Sequence, residues 1–512
     1  MKRKKRPNPK PAGELKCPRP APRGVYRARR PRESPLWRLL KDHLDEFLRV
    51  YDDRFAGTHG PLRAVIPGAA KKFLKCGILD YGFARIRCPE CGDEFLLAHS
   101  CKSRCLCPSC QKKRQVEFGE WAATELLEAV PHRHVVLSIP RRLRLLFRRN
   151  RSRLAKLARA AWETVKELLQ SAAGEKGAVP GGVACIQTYG NLLDWHPHAH
   201  LLVSWGVFRP DGTFVPVTDV PAKETIEKLF RHKILCMLKD EGAIDDAVIE
   251  NLLSWPNTGF GAHVGLEIAA TDAVGRENVA RYLCHPPVVL GRIVAQDSAT
   301  RVVYKSDTVH PRHAANFRVF DPLEFIAEIV AHIPDAYEKT AIEYGWYSNR
   351  TRGYRKEHGL LKPDPPAKCA EADSDKAEID TRRAWARLIA KVYEVNPLIC
   401  PRCGSEMKVV AVIDQEDAIF KILKHLGLLA APEESRAPPG TAPSPASPPP
   451  QATYHDLFSP AAIPTHAPFP EIPAWDLPEP PGPDHASQPD SDPGDLTDDR
   501  DDGPDPEAED IA

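Results

Sequence analysis

Residues 195–203 read WHPHAHLLV, which places three histidines two residues apart at the start of an apolar run. Side chains of a β-strand alternate between two faces. His198 and His200 can therefore converge on one metal ion while Ala199, Leu201 and Val203 face a core. The stretch predicts a metal site built on a strand.

The flanking sequence predicts further strands and helices. Residues 134–139, 183–188 and 198–205 have the apolar composition of strands, and residues 141–169 favour a basic helical region. The turn residues Tyr189-Gly190-Asn191 can join the second and third strands as a hairpin around the histidines. Strands paired with neighbours and mixed with helices indicate an α+β domain.

Two Cys-x-x-Cys pairs, Cys88 with Cys91 and Cys107 with Cys110, are separated by 15 residues. That spacing is typical of a four-thiolate zinc site in which each pair supplies two ligands from a tight turn. Cys101 and Cys105 lie between the pairs and are candidate substitutes for one of these ligands.

The cysteine pairs lie within a segment, residues 35–130, that begins and ends with helical periodicity. Apolar residues recur at helical spacing after residue 35, and again through Phe118, Trp121 and Leu126. A further pair, Cys400 and Cys403, is half of a second zinc site or a simple turn. Its candidate partners are Cys369 and His425.

The charges of the chain are segregated. Residues 432–512 hold 18 acidic and 2 basic residues, a net of −16, so the formal +2 of the whole chain leaves +18 for residues 1–431. A basic body with a basic N-terminal arm is typical of a protein that binds phosphate backbones. The candidate DNA contacts in the arm are Lys2, Arg3, Lys4, Lys5 and Arg6.

Proline-rich runs and an aspartate-rich end follow residue 429. Such a segment cannot bury enough apolar surface to offset its ordering entropy, so disorder is expected there. The sequence predicts neither a signal peptide nor a membrane span. Several of the 14 cysteines stand in zinc spacing, which favours a reducing compartment and a cytoplasmic protein.

A helix is predicted from the capping residue Asp272 through Val279 and Tyr282, ending at Pro286-Pro287. Tyr282 then lies in its last turn. A tyrosine oxygen can open a phosphodiester by attacking phosphorus, but its reference pKa of about 10 calls for a metal to polarise the phosphate. The phosphotyrosine formed retains the bond energy and allows rejoining to another 3′ end.

Several motifs together resemble those of the insertion-sequence-91 family of rolling-circle transposases, which belong to the HUH endonucleases. The resemblance covers roughly residues 35–430 and includes the cysteine module with its Ser100-Cys101-Lys102. The other motifs are QTYGN at 187–191, DWHPHAH at 194–200, ARYLCHPP at 280–287, YGWYSN at 344–349 and NPLICPRCG at 396–404.

The resemblance implies an antiparallel-sheet HUH nuclease domain that acts on single-stranded DNA at element ends and on target DNA. His198 and His200 match the metal pair, for magnesium or manganese, and Tyr282 matches the nucleophile. Gln187 or His196 is a candidate third ligand, Arg281 a candidate DNA contact, and Tyr304 a fallback nucleophile.

The residues four positions either side of Tyr282 are Asn278 and Pro286, so no second tyrosine shares this helix face. The chain is therefore similar to the single-tyrosine branch of the family, which argues against a scheme with two simultaneous covalent links.

Five consecutive regions are expected. They are a basic disordered arm at 1–34, a zinc-binding module at 35–130, the nuclease domain at 131–345, a helical region with the Cys400 pair at 346–430, and an acidic disordered tail at 431–512.

Three alternative functions fit part of the sequence. A replication initiator or relaxase would share the tyrosine chemistry but act at a plasmid origin. A zinc-ribbon DNA-binding protein would share the cysteines and the charge without catalysis. A metallohydrolase using His196, His198 and His200 would need an activated water in place of Tyr282.

Overall fold

The protein, described here as a computed structural model, is defined over residues 30–297, 301–310, 315–359 and 399–429. The predictions for Lys2 to Arg6, for the acidic tail and for Cys369 lie outside the described residues. The mixture of helices and antiparallel sheets confirms the α+β class.

The helices are α1 Pro35–Arg54, α2 Ala56–His59, α3 Val65–Leu74, α4 Pro108–Trp121, α5 Arg141–Arg149, α6 Ser152–Ala173, α7 Lys223–Asp240, α8 Asp246–Ser254, α9 Ala273–Leu283, α10 Pro322–Ala331, α11 Asn349–Glu357 and α12 Glu416–His425. The strands are β1 Phe83–Arg87, β2 Glu94–Ala98, β3 His132–Ser138, β4 Gly181–Tyr189, β5 Trp195–Ser204, β6 Gly206–Phe208, β7 Phe214–Pro216, β8 Gly261–Ile268, β9 Ile293–Asp297, β10 Arg301–His310, β11 Ala315–Phe320, β12 Ala341–Gly345 and β13 Lys408–Ile413.

The central sheet has five strands in the order β12-β4-β5-β3-β8, and each neighbouring pair is antiparallel. The three predicted strands are observed as β3, β4 and β5. Strands β4 and β5 form the predicted hairpin, with Ile186 opposite Ala199. The hairpin holds the histidine stretch in the middle of the sheet.

One face of the sheet packs against α5, α6 and α7 and forms the largest apolar core. Ala199, Leu201 and Val203 are fully buried on this face, as the alternation predicts. Burial of each large apolar side chain contributes about 1.5–3 kcal/mol. Gly182 lets α6 approach closely, because a Cβ there would lie 2.5 Å from the Trp162 ring.

The opposite face carries the histidines and is covered in part by α9 and α4. Ala280 and Leu283 of α9 pack against Val183 and Leu202 of the sheet. Helix α4 lies along α9 and continues into a single π-helical turn, Ala122–Leu126. This packing fixes the last turn of α9 above β5.

The N-terminal helices share a core with α10. Phe47 of α1 and Phe325 of α10 are fully buried in it, together with Tyr304 of β10. The Arg63 guanidinium donates to the carbonyl oxygens of Val330 and Ile333 at 2.9 and 2.6 Å, at the end of α10. Free carbonyls at a helix end favour such a cation.

A smaller sheet joins distant parts of the sequence in the order β13-β1-β2. Phe83 of β1 pairs with Ala98 of β2 on one side and with Ile413 of β13 on the other. The C-terminal segment therefore lies beside the N-terminal cysteine module. In the part of the chain that the structure describes, every helix is too short or too polar to cross a membrane.

Candidate active site and metal centres

Three histidines of β5 form a row on the α9 side of the sheet. The ring centroids of His196 and His198 are 4.9 Å apart, and those of His198 and His200 are 4.7 Å apart. This row follows from the two-residue repeat of the strand, which turns alternate side chains to one face. His198 and His200 therefore lie on the same face of the sheet, as the alternation of side chains in a strand requires.

His200 is the most enclosed of the three and is suited to bind a metal. Burial, and then the nearby His198 and His134 rings, lower the pKa of His200 well below its ordinary value. The imidazole is thus neutral at pH 7 and keeps a lone pair for a cation. Its Nε2 is buried and makes no hydrogen bond to a described residue. An unsatisfied buried nitrogen of this kind fits a metal ligand.

A fourth histidine, His134 of β3, completes the cluster and was not predicted. Its Nε2 lies 2.9 Å from Nδ1 of His200, and the two rings stack with an interplanar angle of 9°. In metal sites, a hydrogen-bond partner at the other ring nitrogen fixes the orientation and tautomer of a histidine ligand. His134 could have been identified only from the register in which β3 pairs with β5, where Val136 is opposite His200.

Tyr282 lies over this cluster, in the last turn of α9. Its ring centroid is 5.7 Å from that of His200 and 5.8 Å from that of His134, nearly perpendicular to both. The side chain remains 42% exposed. The helix begins as predicted, with the Asp272 side chain accepting a hydrogen bond from Gly275 N at 2.7 Å. A solvent-accessible phenol thus stands beside the histidine row.

The two candidate third ligands are arranged differently. Gln187 of β4 is opposite His198, but its amide nitrogen lies 3.5 Å from the carbonyl oxygens of Tyr282 and Leu283. His196 extends the histidine row. Among the described residues, two groups of three or more Cys, His or carboxylate ligand atoms lie within 4.8 Å of one another. Both groups consist of cysteines. The His196, His198 and His200 site of a metallohydrolase is not such a group.

Two further predicted residues lie away from the open side of the site. Arg281 packs against Gly119 of α4 and pairs with Glu277 at 3.5 Å, which leaves its side chain only 17% exposed. Tyr304 is fully buried, and its hydroxyl accepts a hydrogen bond from Val289 N at 3.1 Å. Burial raises the pKa of Tyr304. Neither position offers ready access to a DNA strand.

Eight of the cysteines that the structure describes form two separate clusters of four. Cluster A contains Cys76, Cys101, Cys107 and Cys110; cluster B contains Cys88, Cys91, Cys400 and Cys403. This corrects the predicted grouping, in which the Cys88 pair and the Cys107 pair share one site. The strand pairing of β1 with β13 carries the Cys88 pair to the Cys400 pair instead.

Cluster A has the dimensions of a tetrahedral zinc site. The sulfur of Cys76 lies 3.8 Å from that of Cys110 and 3.7 Å from that of Cys107, and Cys101 lies 3.7 Å from Cys110. Zinc–sulfur bonds of about 2.3 Å place neighbouring sulfurs about 3.8 Å apart. A disulfide would require about 2.05 Å. The four residues therefore fit zinc, and Cys101 is a member, as the sequence allowed.

Cys76 and Cys105 differ from the sequence prediction. Cys76 joins cluster A although no second cysteine stands beside it in the sequence, so no spacing rule identifies it. Cys105, a candidate substitute, lies outside the cluster, and burial raises the pKa of its thiol to about 11.

The two cysteine clusters define a metal-binding protein, and its central sheet carries a histidine row with an exposed tyrosine beside it. Residues 41–139 match the family model of the transposase zinc-binding domain, and residues 181–355 match a family model described as "Putative transposase". The chain belongs to the insertion-sequence-91 family of transposases and has the N-terminal zinc-binding domain of that family.

Two curated relatives are similar over most of their length. The transposase for insertion sequence element IS801 of Pseudomonas savastanoi pv. phaseolicola is 26% identical over 375 residues, covering 69% of this chain and 85% of that protein. The putative transposase y4qJ of Sinorhizobium fredii (strain NBRC 101917 / NGR234) is 26% identical over 329 residues, covering 60% and 80% respectively. No solved structure matches the chain.

Proposed function

We propose that this transposase cuts and rejoins single-stranded DNA at the ends of an insertion sequence, with Tyr282 as nucleophile, in rolling-circle transposition. The observation that carries the proposal is the exposed Tyr282 phenol packed over the His200 and His134 rings. The net charge of +18 over residues 1–431 supports a DNA substrate. A protein acting on the DNA of a bacterial cell would work in the cytoplasm.

In the cleavage step, the Tyr282 oxygen attacks phosphorus and loses its proton to water. A bond forms between phosphorus and the tyrosine oxygen, and the bond from phosphorus to the 3′ oxygen breaks. The 3′ oxygen takes a proton and leaves as a hydroxyl, and the 5′ phosphate stays on Tyr282. Attack by a different 3′ hydroxyl reverses the step and joins new ends, without an external energy source.

His198 and His200 would hold a magnesium or manganese ion that polarises the phosphate and offsets its developing charge. Neutral imidazoles suit this task because they bind the ion without cancelling its charge. Manganese accepts nitrogen ligands more readily than magnesium, so we expect it to support the higher activity.

The test is to incubate the full chain with manganese and labelled single-stranded DNA from the element's own ends. Replacement of His198 and His200 together by alanine is expected to lower the yield of covalent protein–DNA adduct at least about 100-fold, because the metal ligands are lost. A denaturing gel measures the adduct. The matched control is His232→Ala, an exposed histidine of α7 on the other side of the sheet. Equal adduct with excess chelator would contradict metal assistance.

His134→Ala is expected to raise the manganese concentration needed for half-maximal adduct formation about 10- to 100-fold. The change removes the group that holds Nδ1 of His200. Titration of manganese measures the effect, and saturating metal should restore most of the yield. His134→Gln keeps a side chain that can hydrogen-bond Nδ1 of His200, so this variant should lose less manganese affinity. A yield that falls equally at all manganese concentrations would contradict a positioning role.

A further inference from the structure

Cluster B is built from two turns of the same sequence and the same shape. Both read Cys-Pro-x-Cys-Gly, at residues 88–92 and 400–404. In the first, Gly92 N donates to Cys88 O at 3.1 Å and Cys88 N to Asp93 O at 2.7 Å. In the second, Gly404 N donates to Cys400 O and Cys400 N to Ser405 O, both at 2.9 Å. The two turns are therefore structural equivalents.

The backbone conformation at the end of each turn favours glycine. Gly92 and Gly404 have φ values of 74° and 75°, a left-handed backbone that residues with a side chain rarely adopt. The Cys107 pair is followed by Gln111 and instead begins helix α4, with Cys107 as its N-cap. The turns at Cys88 and Cys400 thus form a matched pair that excludes the Cys107 pair.

The four sulfurs of cluster B lie at metal-binding separations. Cys88 is 3.5 Å from Cys403, and Cys91 is 3.5 Å from Cys400. These distances are close to the edge of about 3.8 Å expected for four sulfurs around zinc and far from a bonded pair. Cys88 and Cys400 are buried, whereas Cys403 is exposed. Four soft sulfur ligands in this arrangement favour zinc over magnesium or calcium.

The surrounding sheet brings the two turns to one end. Strand β1 ends at Arg87, directly before the first turn, and Arg87 pairs with Lys408 at the start of β13. Ile86 and Met407 are buried beside the sulfurs. Helix α12 covers another part of the sheet, where Ile419 packs against Phe83 in a separate apolar cluster. So small an apolar core is typical of a fold that needs a metal.

Charge also calls for a cation at this position. A carboxylate oxygen of Asp93 accepts a hydrogen bond from the Cys400 thiol at 3.8 Å. Once the four thiols lose their protons to bind a metal, they repel this carboxylate and one another. A divalent ion offsets part of that charge. The Arg87 guanidinium also lies close to the first turn and adds a positive charge there. A Cβ built on Gly92 would be 3.7 Å from it.

We propose that cluster B binds a structural zinc ion, separate from the one at cluster A, and that this ion completes a zinc ribbon from two distant parts of the chain. Its two pairs of ligands are separated by more than 300 positions, with Cys91 and Cys400 at an interval of 309. The ion ties β13 and α12 to the N-terminal module. Zinc binding at cluster B does not depend on cleavage by Tyr282, so the zinc count and the adduct assay test separate properties of the protein.

The experiment counts zinc in the purified, reduced full chain by native mass spectrometry and elemental analysis. We expect two ions per chain in the natural protein and one in the Cys400→Ser/Cys403→Ser variant. Cys236→Ser, which changes an exposed cysteine of α7 outside both clusters, should keep two. Two ions in the double variant, or one ion in the natural chain that only a cluster A substitution removes, would overturn the proposal.

A second measurement uses the natural chain alone, so that misfolding of the variant cannot decide the result. Alkylation with iodoacetamide followed by peptide mapping should show Cys403 protected while zinc is bound, although its side chain is exposed. A chelator should make Cys403, Cys400, Cys88 and Cys91 reactive together. Free reaction of Cys403 in the zinc-loaded chain, or a disulfide between Cys88 and Cys403, would contradict a zinc site.

Discussion

Tyr282→Phe is expected to abolish the covalent protein–DNA adduct, with a loss of at least about 10³-fold in its rate of formation. The substitution removes one oxygen and keeps the ring that packs over His200 and His134. Because the side chain is 42% exposed, stability should change by no more than about 0.5 kcal/mol. DNA binding should persist. A denaturing gel and a binding assay on the same preparations separate these effects.

Tyr354→Phe is the matched control for this substitution. Tyr354 is also half-exposed, in α11, and stacks on a histidine, His358, with ring centroids 4.0 Å apart. Its loss should leave the adduct unchanged, and Tyr304→Phe should do the same if that buried residue is structural. Mass mapping of the DNA-linked peptide identifies the nucleophile directly. An undiminished adduct in Tyr282→Phe, mapped to another tyrosine, would refute the assignment; DNA binding with no adduct in the natural chain would favour a non-catalytic binding protein.

The local parts of this site could be predicted from the sequence because their signals are local. The two-residue repeat at His198 and His200 specifies a strand face, and Asp272 with Pro286 brackets the helix that carries Tyr282. The position of α9 over β5 depends on packing of Ala280 and Leu283 against the sheet. That contact joins residues 78 to 100 positions apart, so local periodicity contains no information about it.

His134 shows the same limit more sharply. Residues 134–139 are recognisable as a strand, but His134 meets His200 only because β3 pairs with β5 in one particular register. A shift by one residue would turn His134 to the other face of the sheet. The side chain is therefore recognisable as a member of the site only when the partner strand and its register are both known.

The cysteine pairs show both what local spacing predicts and what depends on the pairing of distant strands. Spacing predicted the Cys88 pair and the Cys107 pair as zinc ligands but placed them in one site, and it left the Cys400 pair as half of a zinc site or a simple turn. The glycine after the second cysteine distinguishes the turns at 88–92 and 400–404 from the helix start at Cys107. Ligands from distant segments of the chain can be grouped only after the strands are paired.

Loss of zinc from cluster A should have the largest effect on stability, because its ligands lie in or beside three structural elements. Cys76 follows α3, Cys101 follows β2, and Cys107 and Cys110 begin α4. Cys107→Ser removes a buried ligand from a site whose zinc affinity is typically worth about 10–16 kcal/mol. We expect the free energy of unfolding to fall by about 3 kcal/mol, which would lower the Tm by about 6–12 °C. Calorimetry and a zinc count on the reduced chain measure both quantities.

Cys105→Ser is the matched control, since Cys105 lies in the same loop but outside the cluster. Cys105→Ser should keep the zinc ion of cluster A. If Cys105→Ser lost this zinc and Cys76→Ser kept it, Cys105 would be the ligand in place of Cys76.

Loss of zinc from cluster A should also affect the position of Tyr282. Gln111 of α4 donates to Cys284 O at 2.9 Å, and Gly119 packs against Arg281, so α4 supports the end of α9. We therefore expect Cys107→Ser to slow adduct formation even at temperatures where the central sheet remains folded.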